Sequence, residues 1–189
     1  MGSSMPKQAD KRERLVRAGR QLIHSQGFSR TTLADIAEES GVPLGNVYYY
    51  FRTKEDLLAA VAEAHEDDFR ARAAEFDKQP VPRERLLAFL DSVIESRDSI
   101  AKSGCPVGSL CQEMNKGETD SRARVNQGLI LRAQWVSEQF RSMGRVDAQE
   151  LGVWLIGSVQ GVILMANALR DSGVVDRQIN QLKAWIQAF

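Results

Sequence analysis

The chain reads as an all-α protein of about nine helices, and three observations lead there. Apolar residues recur at three-, four- and seven-residue spacing almost throughout. No segment alternates apolar and polar residues as a half-buried strand does. Cap residues and Gly or Pro breaks divide the chain at regular intervals.

Leu15, Ala18, Leu22 and Ile23 form one face of a first helix, and Gly27 supplies its stop. Thr32 is a hydroxyl N-cap with Asp35 three residues on, which predicts a short helix from Leu33 to Ser40 ended by Gly41. Pro43 opens a third helix reaching about Tyr50. Thr53, followed by Lys54, Glu55 and Asp56, caps a fourth that runs to about Asp77. Gln79-Pro80-Val81-Pro82 breaks the chain before a helix from Arg83 to about Ala101. After Ser103-Gly104-Cys105-Pro106 a short helix extends to about Met114, and Asn115-Lys116-Gly117 reads as a loop. Asp120 or Ser121 caps a helix to about Met143, Asp147 one to about Leu169, and Asp176 the last. In that last helix Ile179, Leu182, Ile186 and Phe189 share a face.

The 189 residues are 43% hydrophobic and 26% charged, an ordinary globular balance that excludes disordered, collagen-like and coiled-coil classes. Two cysteines cannot build a disulfide framework and suit a reducing cytoplasm. No signal peptide opens the chain, and Met1-Gly2-Ser3-Ser4 reads as an expression scar at the head of a disordered arm over residues 1–9. Twenty-five basic side chains balance twenty-five acidic ones, which excludes attachment to DNA or membrane by bulk charge. The balance is not local. Lys7, Lys11, Arg12, Arg14, Arg17, Arg20 and Arg30 face only Asp10 and Glu13 in their stretch. That stripe suits either an anionic partner or a solvated helix face.

Residues 151–169 carry no charge and are formally long enough to span a membrane. Gly152, Gly157, Gly161, Gln160 and Asn167, with no basic flank, argue instead for a helix buried against a second copy of the chain. The expected dimer surface is Trp154, Gly157, Gly161, Leu164, Ile179, Leu182 and Ile186.

Two short helices joined at Gly41 match a helix-turn-helix, whose second helix enters the DNA major groove. Ile36, Ala37, Val42 and Val47 face inward in that arrangement, leaving Leu44, Gly45, Asn46, Tyr48 and Tyr49 outside. Tyr48 and Tyr49 suit DNA contact or packing, whereas Tyr50 and Phe51 are expected in the core.

Thr31-Thr32-Leu33-Ala34-Asp35-Ile36-Ala37, Gly41-Val42, Gly45 through Phe51, and Lys54 through Leu58 closely resemble the N-terminal domain of TetR-family transcription regulators. The resemblance covers about residues 10–58. It implies a DNA-binding domain at 10–55 and a helical effector-binding and dimerisation domain at 56–189. It also implies that Thr32, Tyr48 or Tyr49, and Lys54 hold DNA phosphates, each with suitable chemistry. Gly45 would permit close approach to the backbone. Pro43 and Leu44 stand where many relatives carry hydroxyl or cationic residues. Leu44 can meet a thymine methyl, and Asn46 can pair with adenine. The function implied is that of a cytoplasmic, homodimeric repressor of operator DNA, released by a small hydrophobic effector. The last helices would pair with the partner copy.

Phe89, Val93, Met114, Leu131, Trp135, Trp154 and Met165 suit the wall of an effector pocket or plain core. Cys105 joins them. Gly104 through Leu110 resembles a segment of a TetR subgroup that includes electrophile- and oxidant-sensing repressors. With Pro106 at a first helical position, Cys105 sits where unpaired amides favour a reactive thiolate. A thiol-sensing repressor is therefore an alternative, and a small buried cysteine is the structural one. Cys105 and Cys111 are poor partners for each other, since six helical residues rise roughly 9 Å.

No enzyme signature appears. His24 and His65 lie on separate helices without a cysteine cluster, and no phosphate loop or nucleophile elbow is present. No metal or cofactor is expected. A helical small-molecule-binding protein without DNA binding is the alternative of another class.

Overall fold

The structure is a computed structural model that describes residues 5–116 and 121–189. Among the described residues every regular element is helical: α1 (Met5–Gln26), α2 (Leu33–Ser40), α3 (Leu44–Tyr50), α4 (Lys54–Phe76), α5 (Pro82–Glu95), α6 (Arg97–Ser103), α7 (Pro106–Met114), α8 (Ser121–Ser142), α9 (Ala148–Leu169) and α10 (Gly173–Gln187). The all-α expectation holds. Nine expected helices become ten because the segment expected as 83–101 breaks at Ser96. There φ −92° and ψ 4° turn the chain, and the Ser96 hydroxyl donates to Ser92 O rather than capping α6.

Several boundaries shift for local reasons. α1 begins at Met5, inside the stretch expected as an arm. Asp147 precedes α9 but its carboxylate binds Arg145 at 2.9 and 2.8 Å instead of capping. α10 starts at Gly173, which leaves Asp176 in its first turn. The Met1–Ser4 scar, Gly117 and the cap at Asp120 lie outside the described residues.

The chain divides into two compact units, Met1–His65 with Ser109–Asn126, and Glu66–Gly108 with Gln127–Phe189. The first break therefore falls ten residues beyond the expected 55/56 boundary, and the end of α7 with the start of α8 joins the first unit.

In the first unit α2 packs on α1 and α3 on α2. Leu57 and Val61 of α4 close over Gly19 of α1. Leu15, Ile36, Val42, Val47, Leu57 and Leu58 are almost wholly buried. Each such side chain contributes roughly 1.5–3 kcal/mol of transfer free energy. That burial matters most for α3, whose seven residues are too few to be stable alone and whose buried residue is Val47.

The second unit is built around Leu86, Leu90, Phe140, Leu155, Val175, Ile179 and Ile186. Phe140 meets Trp185 at 6.0 Å and Phe189 at 5.8 Å, both edge-on. α10 packs on α5 and α9, and α6 on α9. Asn167 of α9 fastens α6 by donating to Ala101 O at 3.1 Å.

Helix α9 is long and apolar enough to cross a membrane by length and composition. Its faces are unlike. Leu155, Ile156, Val159, Ile163 and Ala166 are buried in the core, while Val153, Trp154, Gly157, Gly161, Leu164, Met165 and Leu169 form an exposed stripe.

Candidate nucleic-acid interface

The interface is built from three local devices in the first unit. Thr32 and Asp35 form a reciprocal capping box. Asp35 N donates to Thr32 Oγ1 at 3.1 Å, and Thr32 N to Asp35 Oδ2 at 2.8 Å. The Thr32 amide, then its hydroxyl, hold the Asp35 carboxyl below its ordinary value. Thr53 and Asp56 repeat the pattern at α4, both bonds at 3.0 Å. Between α2 and α3, Gly41 takes φ +64°, and its amide donates to Glu38 O and Ala37 O. Only glycine enters that left-handed region without strain. Arg14 of α1 then donates to Ser40 O at 2.6 and 3.1 Å. One cation of the basic stripe thus closes the C-terminal end of α2 inside the domain.

These devices present the outer side of α3. Leu44 is 39% exposed, Tyr48 53% and Tyr49 72%, with Gly45 and Asn46 exposed between them. Apart from its chain neighbours and the backbone of α3 itself, no described atom lies within 4 Å of where a Cβ on Gly45 would stand. Tyr49 meets Tyr50 edge-on at 5.0 Å. Phe51 is buried as expected, with the Arg12 guanidinium 5.7 Å from its ring, whereas Tyr50 is only partly buried. Thr32, Arg17, Arg30 and Arg52 are exposed as well. The side chain of Lys7 lies outside the described residues.

Lys54 is placed differently from a free phosphate ligand. Its ammonium donates to Phe28 O at 2.8 Å and Ser29 O at 3.5 Å, and stands 4.2 Å from the centre of the Phe28 ring. It fastens the turn that joins α1 to α2.

The other fastener was not foreseen. Glu113, near the end of α7, accepts Phe28 N–H at 2.8 Å through Oε2, and Ser29 N–H at 2.8 Å and Ser29 O–H at 2.7 Å through Oε1. Gly27 starts this turn at φ +89°, and a Cβ there would press on Glu113 Oε2 at 3.2 Å. Thr31, wholly buried, donates to Gly27 O at 2.7 Å and completes it. Burial acts to raise the Glu113 carboxyl, but the Ser29 hydroxyl, the Ser29 and Phe28 amides and the Lys54 charge outweigh it and leave it below the ordinary glutamate value. No short-range signal marks Glu113, because its partners lie 84 and 85 residues away in sequence.

A polar groove of about 540 Å³ lies in the same unit, lined by Leu22, Gln26, Arg30, Asp35, Glu38 and Glu39. Its three carboxylates suit it poorly to an anionic backbone.

The residues expected to line an effector pocket separate. Phe89 and Val93 are buried in the core of the second unit, with Cys105, Leu131 and Trp135 partly buried against it. Met114 belongs to the first unit. Trp154 and Met165 stand on the exposed stripe of α9, so neither lines that core, and the Trp154 ring meets that of Trp185 at 4.4 Å with the planes tilted by 47°. Two residues expected at a dimer surface are also corrected. Ile179 and Ile186 are wholly buried in their own chain, because the apolar face of α10 is spent on α5 and α9. Leu182 is partly buried. Among the described residues no group of three metal-ligating side chains comes together.

A capped helix-turn-helix with an exposed second helix defines a DNA-binding regulator of transcription. Residues 15–61 match the family model described as bacterial regulatory proteins, tetR family. The chain is 28% identical over 172 residues to the HTH-type transcriptional regulator TtgR of Pseudomonas putida, covering 85% of this chain and 82% of that one. It is 30% identical over 122 residues to the HTH-type transcriptional repressor NemR of Escherichia coli, covering 63% and 61%. The crystal structure of E. coli NemR in its reduced form superposes with a TM-score of 0.80 at 22% identity, over 92% of this chain and 96% of that one. Over residues 15–61 the chain thus resembles the tetR family of bacterial regulatory proteins, and relatives that it matches along most of its length are HTH-type transcriptional regulators.

The Glu113 clamp has a pH signature. A depressed carboxyl contributes stability that is complete above the ordinary value of 4.5 and is lost as pH falls through the lowered one. Glu113→Gln should cost about 1 kcal/mol at pH 7 after allowing for solvent screening, or about 3 °C in thermal midpoint. The gap to wild type should narrow as pH falls through the acid range below 4.5. A gap unchanged across that range in thermal denaturation would contradict the assignment.

Proposed function

We propose that the protein is a cytoplasmic homodimeric repressor whose α3 enters the major groove of its operator. It releases the DNA when a small hydrophobic effector binds the helical domain. The observation that carries this reading is the outer side of α3, which presents Leu44, Gly45, Asn46, Tyr48 and Tyr49 while Val47 anchors the helix from behind. In this reading Asn46 reads a base edge, and Leu44 meets a thymine methyl. Thr32, Tyr48, Tyr49 and Lys54 hold phosphates, Lys54 through the donor left over from the turn. Residues 10–55 serve DNA, and 56–189 serve effector and partner copy. The core around Phe89, Val93, Leu131 and Trp135 has the apolar chemistry of an effector site.

Fluorescence anisotropy on DNA from upstream of the gene, at two salt concentrations, tests the DNA roles. Lys54→Ala should weaken binding to all sequences alike. Asn46→Ala should cost about 1–3 kcal/mol at particular base pairs only. Equal, sequence-selective losses for both would contradict the roles. Binding of effector without any salt-dependent DNA affinity would favour a plain small-molecule-binding protein.

The dimer surface in this reading is the exposed stripe of α9 formed by Trp154, Gly157, Gly161 and Leu164, whose two glycines would allow close helix approach. Support comes from its apolar character on a helix already buried on its other face. Leu164→Arg should give a folded monomer in sedimentation with much reduced operator affinity; an unchanged dimer would move the interface elsewhere.

A second reading has an observation of its own. Cys105 Sγ accepts the Gly108 amide at 3.2 Å and the Gln160 side-chain amide at 3.7 Å, and its residue is only partly buried. Cys111 is buried and directs its thiol to Val125 O at 3.5 Å. A Cys105 sensor predicts that hydrogen peroxide releases wild-type protein from DNA and fails to release Cys105→Ser. Release of both alike would end this reading.

A further inference from the structure

We propose that Glu66 is the polar recognition residue of an effector subsite in the second unit, and that it selects an uncharged aromatic alcohol or phenol. The inference rests on the reading that this unit binds a hydrophobic effector, and it adds the functional group that the effector must carry.

Glu66 lies on α4 and is 5% exposed. Its two oxygens are unlike. Oε2 accepts from Arg70 Nη2 at 2.9 Å, whereas Oε1 is buried with no hydrogen-bond partner. Buried carboxylate oxygens are ordinarily satisfied, so an orphan marks a position at which a donor is missing. Arg70 already supplies the countercharge, and its other terminal nitrogen reaches Asp67 at 3.0 Å. What Oε1 lacks is therefore a hydrogen rather than a positive charge. A second cation would stand beside the Arg70 guanidinium and be repelled by it. A neutral O–H meets the need without that cost.

The surroundings specify the rest of the molecule. One turn along α4 from Glu66 stands Phe69, which meets Trp135 edge-on at 6.1 Å. Trp135 also faces Phe76 at 5.7 Å and Phe89 at 6.0 Å. Its indole N–H is taken by Asp77 at 3.2 Å, so it offers its rings and not its donor. The Phe69 ring also carries the Arg132 guanidinium 4.6 Å from its centre, so the partly buried Trp135 is the member of the group left accessible. An aromatic ring packed against Trp135, with a hydroxyl reaching back to Glu66 Oε1, uses both features.

The test compares 2-naphthol, 2-methoxynaphthalene and naphthalen-2-ylmethylammonium by isothermal titration calorimetry on the full-length protein. Wild type should bind 2-naphthol about tenfold more tightly than its methyl ether, the worth of one hydrogen bond to a charged acceptor. The ammonium probe should bind no better than the ether. Glu66→Leu should abolish the preference and leave binding of the ether unchanged. Glu66→Gln keeps the side chain's shape, so it serves if the leucine variant fails to fold, and it should reduce the preference. Equal binding of alcohol and ether by wild type, a preference for the ammonium, or a preference that survives both substitutions would overturn the role of Glu66. Failure of all three probes to bind would count against the hydrophobic-effector reading itself.

Discussion

Three hydrogen bonds accepted by one carboxylate hold the turn that leads into the helix-turn-helix. Glu113 grips the amides of Phe28 and Ser29 and the Ser29 hydroxyl, and Lys54 takes the carbonyls of the same two residues. The turn is thus pinned through its donors by an anion and through its acceptors by a cation. It leads directly into the Thr32 cap of α2, and α2 carries α3. Any shift of Glu113 moves the entry to the helix-turn-helix. Because the bonds are charge-assisted, the joint is stiff for so short a segment.

The two fasteners sit on helices with a particular place in the chain. α4 begins with Lys54 in the first unit and continues into the second, and α7 begins in the second and reaches Glu113 and Met114 in the first. Both fasteners therefore lie on helices that the division between the units crosses. Each of these helices thus serves two ends. The same economy governs α9, whose inner face completes the core while its outer face stays apolar and uncovered.

Much of this was legible in the sequence because it is local. The Thr32 and Thr53 caps, the Gly41 turn and the inward set Ile36, Ala37, Val42 and Val47 each depend on neighbours within a few residues, and each is found as read. The exposure of Leu44, Asn46, Tyr48 and Tyr49 follows from that set by helical geometry. Other features depend on partners distant in sequence. Arg14 looked like part of a surface stripe and instead closes α2, 26 residues away. Lys54 looked free and is bound to the turn. Ile179 and Ile186 shared an apolar face with Leu182, but periodicity does not say whether such a face meets its own chain or another. Glu113 carried no signal, because a single glutamate in a short helix resembles any surface acid until its partners are in place.

Amide hydrogen exchange at Phe28 and Ser29 in the intact protein at pH 7 tests the central role of the clamp most directly. Both amides precede α2 and lie outside any regular helix, so without Glu113 they would exchange as exposed loop amides do. The structure predicts that both exchange far more slowly, at rates set by opening of the turn. Exchange of both at loop rates would show that Glu113 does not hold the turn that leads into α2.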